Sequence, residues 1–134
     1  MIIDATDAIV GRLATVAAKS ALQGEEVVIL NAEKAVISGD PLKTASKYYN
    51  RRGMTQKANP ENAAKWPRRA DLMFKRIIRG MLPKHSPRGK AAEGRIMVYL
   101  GVPKGFEGRG EKFSRTSARL RNKFISLQAL MEKI

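Results

Sequence analysis

The chain of 134 residues has no cysteine and one histidine, His85. The first absence excludes disulfides and thiolate metal sites and suits a reducing cytosol. The second excludes a histidine metal cluster. Flanked by Lys84, Ser86 and Arg88, the lone imidazole reads as a polyanion contact or a solvated group rather than a general base. No apolar run approaches the ~20 residues that span a bilayer. Residues 1–15 hold Asp4, Asp7 and Arg12, without the charged-then-apolar order of a secretion signal. A membrane is therefore not an expected partner. A glycine-rich phosphate loop is missing as well. The first strand-to-helix turn, Asp4-Ala5-Thr6-Asp7, places two carboxylates where a pyrophosphate would need the positive end of a helix. No GxxxxGK[ST] occurs, and Gly105-Phe106-Glu107-Gly108-Arg109-Gly110 has the wrong glycine spacing for a dinucleotide fingerprint. No catalytic residue, cofactor, metal or small-molecule substrate is expected.

Acid is the scarcest ingredient where base is richest. Lys and Arg total 26 against 12 Asp and Glu, a net charge of +14. Residues 1–47 hold 5 basic and 6 acidic side chains, residues 48–95 hold 13 and 3, and residues 96–134 hold 8 and 3. The first third reads as a fold nucleus and the remainder as a polyanion surface, for which RNA, DNA and anionic membranes are the general candidates. With 43% hydrophobic residues a core is within reach, and the length suits one domain.

Met1 to Ala5 reads as a strand, and Asp7 as the cap of a helix whose inner face is Leu13, Val16, Ala17, Ser20 and Ala21, ended by Gly24. Val27-Val28-Ile29-Leu30 is apolar throughout, as in a strand buried on both faces of a parallel sheet. Strand, helix and strand in about 30 residues form a βαβ unit. Ala35 to Ser38 is a further short strand. Asp40-Pro41 starts a helix running to about Tyr49. Residues 50–66 read as a loop, Arg68 to Leu82 as a helix with the stripe Met73, Phe74, Ile77, Ile78 and Met81, and Arg88 to Gly94 as one or two helical turns. Arg95 to Val102 is the last clear strand. Residues 104–114 read as a mobile Gly-rich segment, and Thr116 to Ile134 as an amphipathic helix with Leu120, Phe124, Leu127 and Met131 on one face. The domain division follows: 1–103 as the α/β domain, 104–134 as a basic linker and helical extension.

The informative element is the basic helix. Arg68, Lys75 and Arg79 fall on one side, with Arg69 and Arg76 beside them, and Asp71 is the only acid between Glu61 and Glu93. Cations so poorly balanced repel one another until a polyanion neutralises them. The preceding segment adds Lys47, Tyr49, Arg51, Arg52, Lys57, Lys65 and Trp66, basic residues interleaved with aromatics that could stack on unpaired bases. Trp66, just before Pro67, could equally serve as a core or staple residue. Lys84, His85, Arg88 and Lys90 follow the helix; Arg12, Arg115 and Arg119 complete the candidate RNA-binding set.

Several runs resemble a known family. Gly11-Arg12-Leu13-Ala14, Val28-Ile29-Leu30-Asn31-Ala32-Glu33-Lys34, Ser38-Gly39, Arg79-Gly80-Met81-Leu82-Pro83-Lys84 and Val98-Tyr99-Leu100-Gly101-Val102-Pro103 are similar to stretches of the universal large-subunit ribosomal protein L-thirteen family, in its archaeal-type form. The short link Gln23 to Glu26 resembles the archaeal branch. The resemblance implies a three-layer α/β/α fold around a small, mostly parallel four-stranded sheet. It also implies a non-enzymatic, cytoplasmic protein of the large ribosomal subunit, with large-subunit rRNA and neighbouring ribosomal proteins as partners and a part in early subunit assembly. Some members are credited with mRNA binding and translational repression. Two rival readings are a nucleotide-dependent enzyme, opposed by the acidic first turn, and a DNA-binding chromatin protein, compatible with charge alone.

Overall fold

The computed structural model describes residues 1–134. In chain order the elements are β1 (Ile2–Asp4), α1 (Val10–Leu22), β2 (Val27–Leu30), β3 (Val36–Ser38), α2 (Pro41–Gly53), α3 (Ala70–Arg79), α4 (Pro87–Gly94), β4 (Ile96–Val98), β5 (Glu111–Lys112), β6 (Phe124–Ser126) and α5 (Leu127–Lys133). The main sheet runs β4-β2-β1-β5 and is parallel throughout, within a three-layer α/β/α arrangement. All four residues of β2 are buried, as an apolar run in a parallel sheet requires. The core gathers Ile3, Leu13, Ile29, Phe74, Ile78 and Ile96 with Ile125, Leu127 and Leu130 from the far end of the chain.

The α1 stripe is rotated from the expected one. Val10, Ala14 and Ala18 join Leu13, Ala17, Ser20 and Ala21 inside, while Val16 is 36% exposed. Small alanines let α1 approach its neighbours, so the buried face is broader than the apolar pattern alone suggests. Asp7 does not cap this helix. It sits in a turn at φ 57°, and the N-cap is Ile9, with no side-chain hydrogen bond. Asp40 does cap α2, accepting from the Leu42 N–H at 3.0 Å, and that helix continues past Tyr49 to Gly53. β4 is shorter than expected because the chain bends after Val98. There the Leu30-Asn31-Ala32-Glu33 run takes over: the Asn31 and Ala32 N–H groups donate to Gly101 and Tyr99 carbonyls at 3.0 and 3.1 Å. The Gly101 N–H in turn donates to the Glu33 carboxylate at 3.1 Å.

Two strands come from segments read otherwise in the sequence. The fourth strand of the parallel sheet is Glu111–Lys112, inside the Gly-rich segment, paired Ile3↔Glu111 and Asp4↔Lys112. A two-residue edge strand needs backbone pairing and no apolar pattern. Its approach to β1 relies on Gly110, where a Cβ would lie 3.3 Å from Leu30 Cδ1 and 3.4 Å from Asp4 Cβ. The short strand expected at residues 35–38 lies outside that sheet and forms an antiparallel pair with β6, Val36↔Ser126 to Ser38↔Phe124. The expected helix over Thr116–Ile134 is therefore a 3₁₀ turn (Ser117–Arg119), β6 and the short α5. Gly39 N–H donates to Lys123 O and Leu127 N–H to Ala35 O, both at 2.8 Å. Ser126 Oγ accepts from the Ala129 N–H at 3.3 Å, starting α5 only there. Long-range strand pairing overrides the helical period.

Candidate nucleic-acid interface

The basic helix is shorter than its sequence pattern. α3 begins at Ala70, with Arg69 as N-cap, so Arg68 and Arg69 lie before it. Ala70, Met73, Phe74 and Ile78 are buried, Ile77 is half-buried and Met81 is exposed. This burial turns Lys75, Arg76 and Arg79 outward. Asp71, the one acid of α3, accepts from Arg69 at 2.8 Å, and its other carboxylate oxygen is buried without a partner.

Over the outward face lies the segment ending in Trp66. Arg76 is the fastener: its guanidinium sits 4.1 Å from the Trp66 ring centroid, and its Nη1 donates to the Lys65 carbonyl at 2.8 Å. Arg51 of α2 reaches the same indole at 5.1 Å and the Tyr48 ring at 5.6 Å. Tyr48 meets Trp66 edge-to-face, centroids 5.9 Å apart. Each cation–π contact stabilises by about 0.5–2 kcal/mol. The stack thus links α2, the loop and α3 over the rim of the core. Burial pushes the Tyr48 hydroxyl above its usual pKa, with the Arg51 charge opposing. Trp66 is consequently a staple, half-buried against the core and still lining a cleft.

Two adjoining clefts result. One, of about 320 Å³, is lined by Trp66, Arg76, Arg79, Gly80 and Lys84. The other, of about 260 Å³, is lined by Lys65, Pro67, Leu72, Lys75, Arg76, Arg79 and Glu93. Five candidate cations therefore converge on one surface: Lys65, Lys75, Arg76, Arg79 and Lys84. The only carboxylate there is Glu93, 3.7 Å from the exposed Arg79 in a loose ion pair.

The other candidates are dispersed or engaged. Lys47 and Tyr49 are exposed on α2, while Arg52 turns inward and donates to the Ile134 carbonyl. Arg88 donates to Leu22 O at 3.3 Å, beside Arg95 on Ala21 O at 3.4 Å; both cations meet the negative end of α1. Arg69 is paired with Asp71, and Arg68 borders a shallow groove with Leu100 and Met131. Arg12 borders another, with Ile37, Tyr48 and Ile77. Lys57, His85 and Lys90 are exposed and line neither cleft. Arg115 and Arg119 are also exposed, but on a loop and a 3₁₀ turn rather than a helix.

Tyr48, Gly80, Pro67, Leu72 and Glu93 stand outside the candidate set read from sequence. Tyr48, rather than Tyr49, carries the stack; it follows Ala45 on the inner face of α2, a spacing that marks it. Gly80 lines the larger cleft, and nothing in the sequence signalled that role.

Elsewhere the surface offers little chemistry. No group of three or more His, Asp or Glu side chains could hold a metal ion, and no helix is long and apolar enough to cross a membrane. At the C-terminal end of β1, Asp4 accepts from Thr6 N–H, Thr6 Oγ1 and Asn31 Nδ2 at 3.0, 2.7 and 2.9 Å. Partial burial alone would raise its pKa. The three hydrogen bonds, with the Lys112 charge, outweigh burial and hold the carboxyl below its ordinary value. An ionised carboxylate, with three donors on its Oδ1, thus occupies the place where a dinucleotide fold would put a phosphate.

The family model described as "Ribosomal protein L13" matches residues 1–105. Among curated proteins, "Large ribosomal subunit protein uL13" of Methanococcoides burtonii is 42% identical over 133 residues, covering 94% of this chain and 91% of the relative. The protein of that description from Haloarcula marismortui is 41% identical over 136 residues, covering 100% and 90%. That from Methanocaldococcus jannaschii is 46% identical over 104 residues, covering 77% and 76%. With its βαβ start, its basic α3 face and this extent of match, the chain belongs to the ribosomal protein L13 family, a family of structural ribosomal proteins rather than enzymes.

Proposed function

We propose that this chain is a cytoplasmic structural constituent of the large ribosomal subunit, binding large-subunit rRNA through phosphate contacts and packing beside neighbouring ribosomal proteins. Family membership supports the subunit. The observation that carries the mode of binding is the surface where Lys65, Lys75, Arg76, Arg79 and Lys84 converge with Glu93 as the only counter-charge. Such cations bridge phosphates of separate RNA segments and position the protein without reading sequence. Bringing RNA segments together in this way would serve early subunit assembly.

The test is a charge reversal that spares the stack. Arg79→Glu combined with Lys84→Glu removes two exposed cations and leaves Arg76, which fastens the loop, in place. If about 10 phosphates are neutralised, log affinity for structured rRNA should fall with log salt at a slope of roughly −7 to −9. In the double variant that slope should be shallower by about two, with an unchanged circular dichroism spectrum. Wild-type affinity and slope would refute the site. Preference for duplex DNA over structured rRNA at matched salt would refute the RNA reading.

A further inference from the structure

The larger cleft has a shape that phosphate bridging does not require. Cations that grip a duplex backbone can stand on a convex surface, yet Arg79 and Lys84 flank a concavity whose wall is Trp66 stacked with Arg76. At about 320 Å³ it falls at the lower end of the roughly 300–1,000 Å³ of small-ligand sites, the scale of one nucleotide. Gly80 lines it too. That residue has φ −63° and ψ −19°, open to any amino acid, and its position is exposed. An added Cβ would meet nothing closer than Ile77 O at 3.3 Å. Backbone strain does not demand glycine there, although a Cβ would sit tightly against the Ile77 carbonyl; the space its missing side chain leaves adjoins the cleft.

We infer that this cleft seats a single unpaired nucleotide of the bound RNA. Its base would lie flat on the Trp66–Arg76 pair, and its phosphates would meet Arg79 and Lys84. Indole faces and guanidinium planes are the surfaces on which splayed bases stack. The hydrogen bond from Arg76 to Lys65 O holds that wall in place before RNA arrives, so little ordering is needed on binding. The inference rests on the reading of the chain as an rRNA binder and adds that one contact is made to a base.

Trp66 is the only tryptophan, so its fluorescence reports on the cleft alone. The full chain is titrated at low salt with an adenylate hexamer, with the same hexamer lacking its bases, and with an RNA duplex of equal length. Quenching by the adenylate hexamer at concentrations about tenfold or more below those needed for the other two is the expected result. Gly80→Leu, which fills the cleft, should abolish the difference while the protein still melts cooperatively. If Leu at 80 prevents folding, Gly80→Gln serves the same purpose. Equal quenching by the base-free hexamer or by the duplex would overturn the inference, leaving a cleft that meets phosphate only. Unchanged quenching in the filled variant would overturn it too. Absence of quenching, with structured rRNA still retained in filter binding, would overturn the nucleotide seat and leave the rRNA reading intact. Loss of both would remove the reading itself.

Discussion

In the β1–α1–β2 unit every residue of β2 is buried and α1 contributes Val10, Leu13, Ala14, Ala17, Ala18, Ser20 and Ala21 to the interior. In α2, just beyond β3, no residue is buried. The first region is held by removal of apolar surface from water, worth about 25 cal/mol per Å². The second is held by a cap, an edge-to-face aromatic pair and guanidinium groups on ring faces, with only Ala45 and Tyr48 half-buried against the core. The charges follow the same division, with a near-neutral first third and an excess of cations from residue 48 onward. A surface that must meet a polyanion cannot bury its cations. It needs a neighbouring region that supplies the stability, and it uses cation–π contacts that leave the charge available.

That contrast can be broken most severely from the core side. Phe74 is fully buried on the inner face of α3, and Phe74→Ala should cost about 3–5 kcal/mol in chemical denaturation. The outer face of the same helix would be lost with it, so RNA affinity should fall only in step with the folded fraction. Gly89→Ala comes next. A Cβ on Gly89 would overlap the Pro83 carbonyl oxygen, so α4 must shift against the turn bearing Lys84. A loss of about 1–3 kcal/mol is expected, and Ala at exposed Gly94, where a Cβ meets nothing, should cost far less in the same melt. Asp40→Ala removes the α2 cap at a cost of about 1 kcal/mol. Circular dichroism should report that loss as fraying at the start of α2, with the Trp66 emission of the folded state little changed.

The smallest effect is in acid. Against the pull of partial burial, Asn31, Thr6 and Lys112 hold the Asp4 carboxyl below the ordinary carboxylate range. A depressed folded-state pKa contributes stability above the unfolded value and loses it as pH falls through the folded one. Denaturation curves below about pH 4 should therefore weaken with pH in the wild type. In Asp4→Asn this part of the decline should disappear. An unchanged acid limb in that variant would show that the hydrogen bonds to Asp4 do not bias its ionisation.

Much of this was legible along the chain. Val27–Leu30 announced a strand covered on both faces because four consecutive apolar residues have no other economical place. Asp40-Pro41 announced a helix start, and the Asp40 side chain caps as the chemistry requires. The poverty of acid around α3 marked the surface where five cations meet a single carboxylate. The segment after residue 103 was not legible. Glu111–Lys112 carries no strand pattern, and Leu120, Phe124, Leu127 and Met131 imitate a helical stripe. Only pairing with β1 and β3 makes these segments strands.

Local chemistry and composition by themselves thus determined the βαβ nucleus, the placement of the cations and the class of partner, because caps, apolar runs and charge act over a few residues. Tertiary structure alone decided which cations share a surface. Arg76 meets Trp66 across a folded-back loop, and Arg79 and Lys84 line the cleft beside them, whereas Arg88 and Arg52 are drawn to backbone carbonyls far along the chain. A charge's partner depends on distance in space, and the sequence orders residues only along the chain.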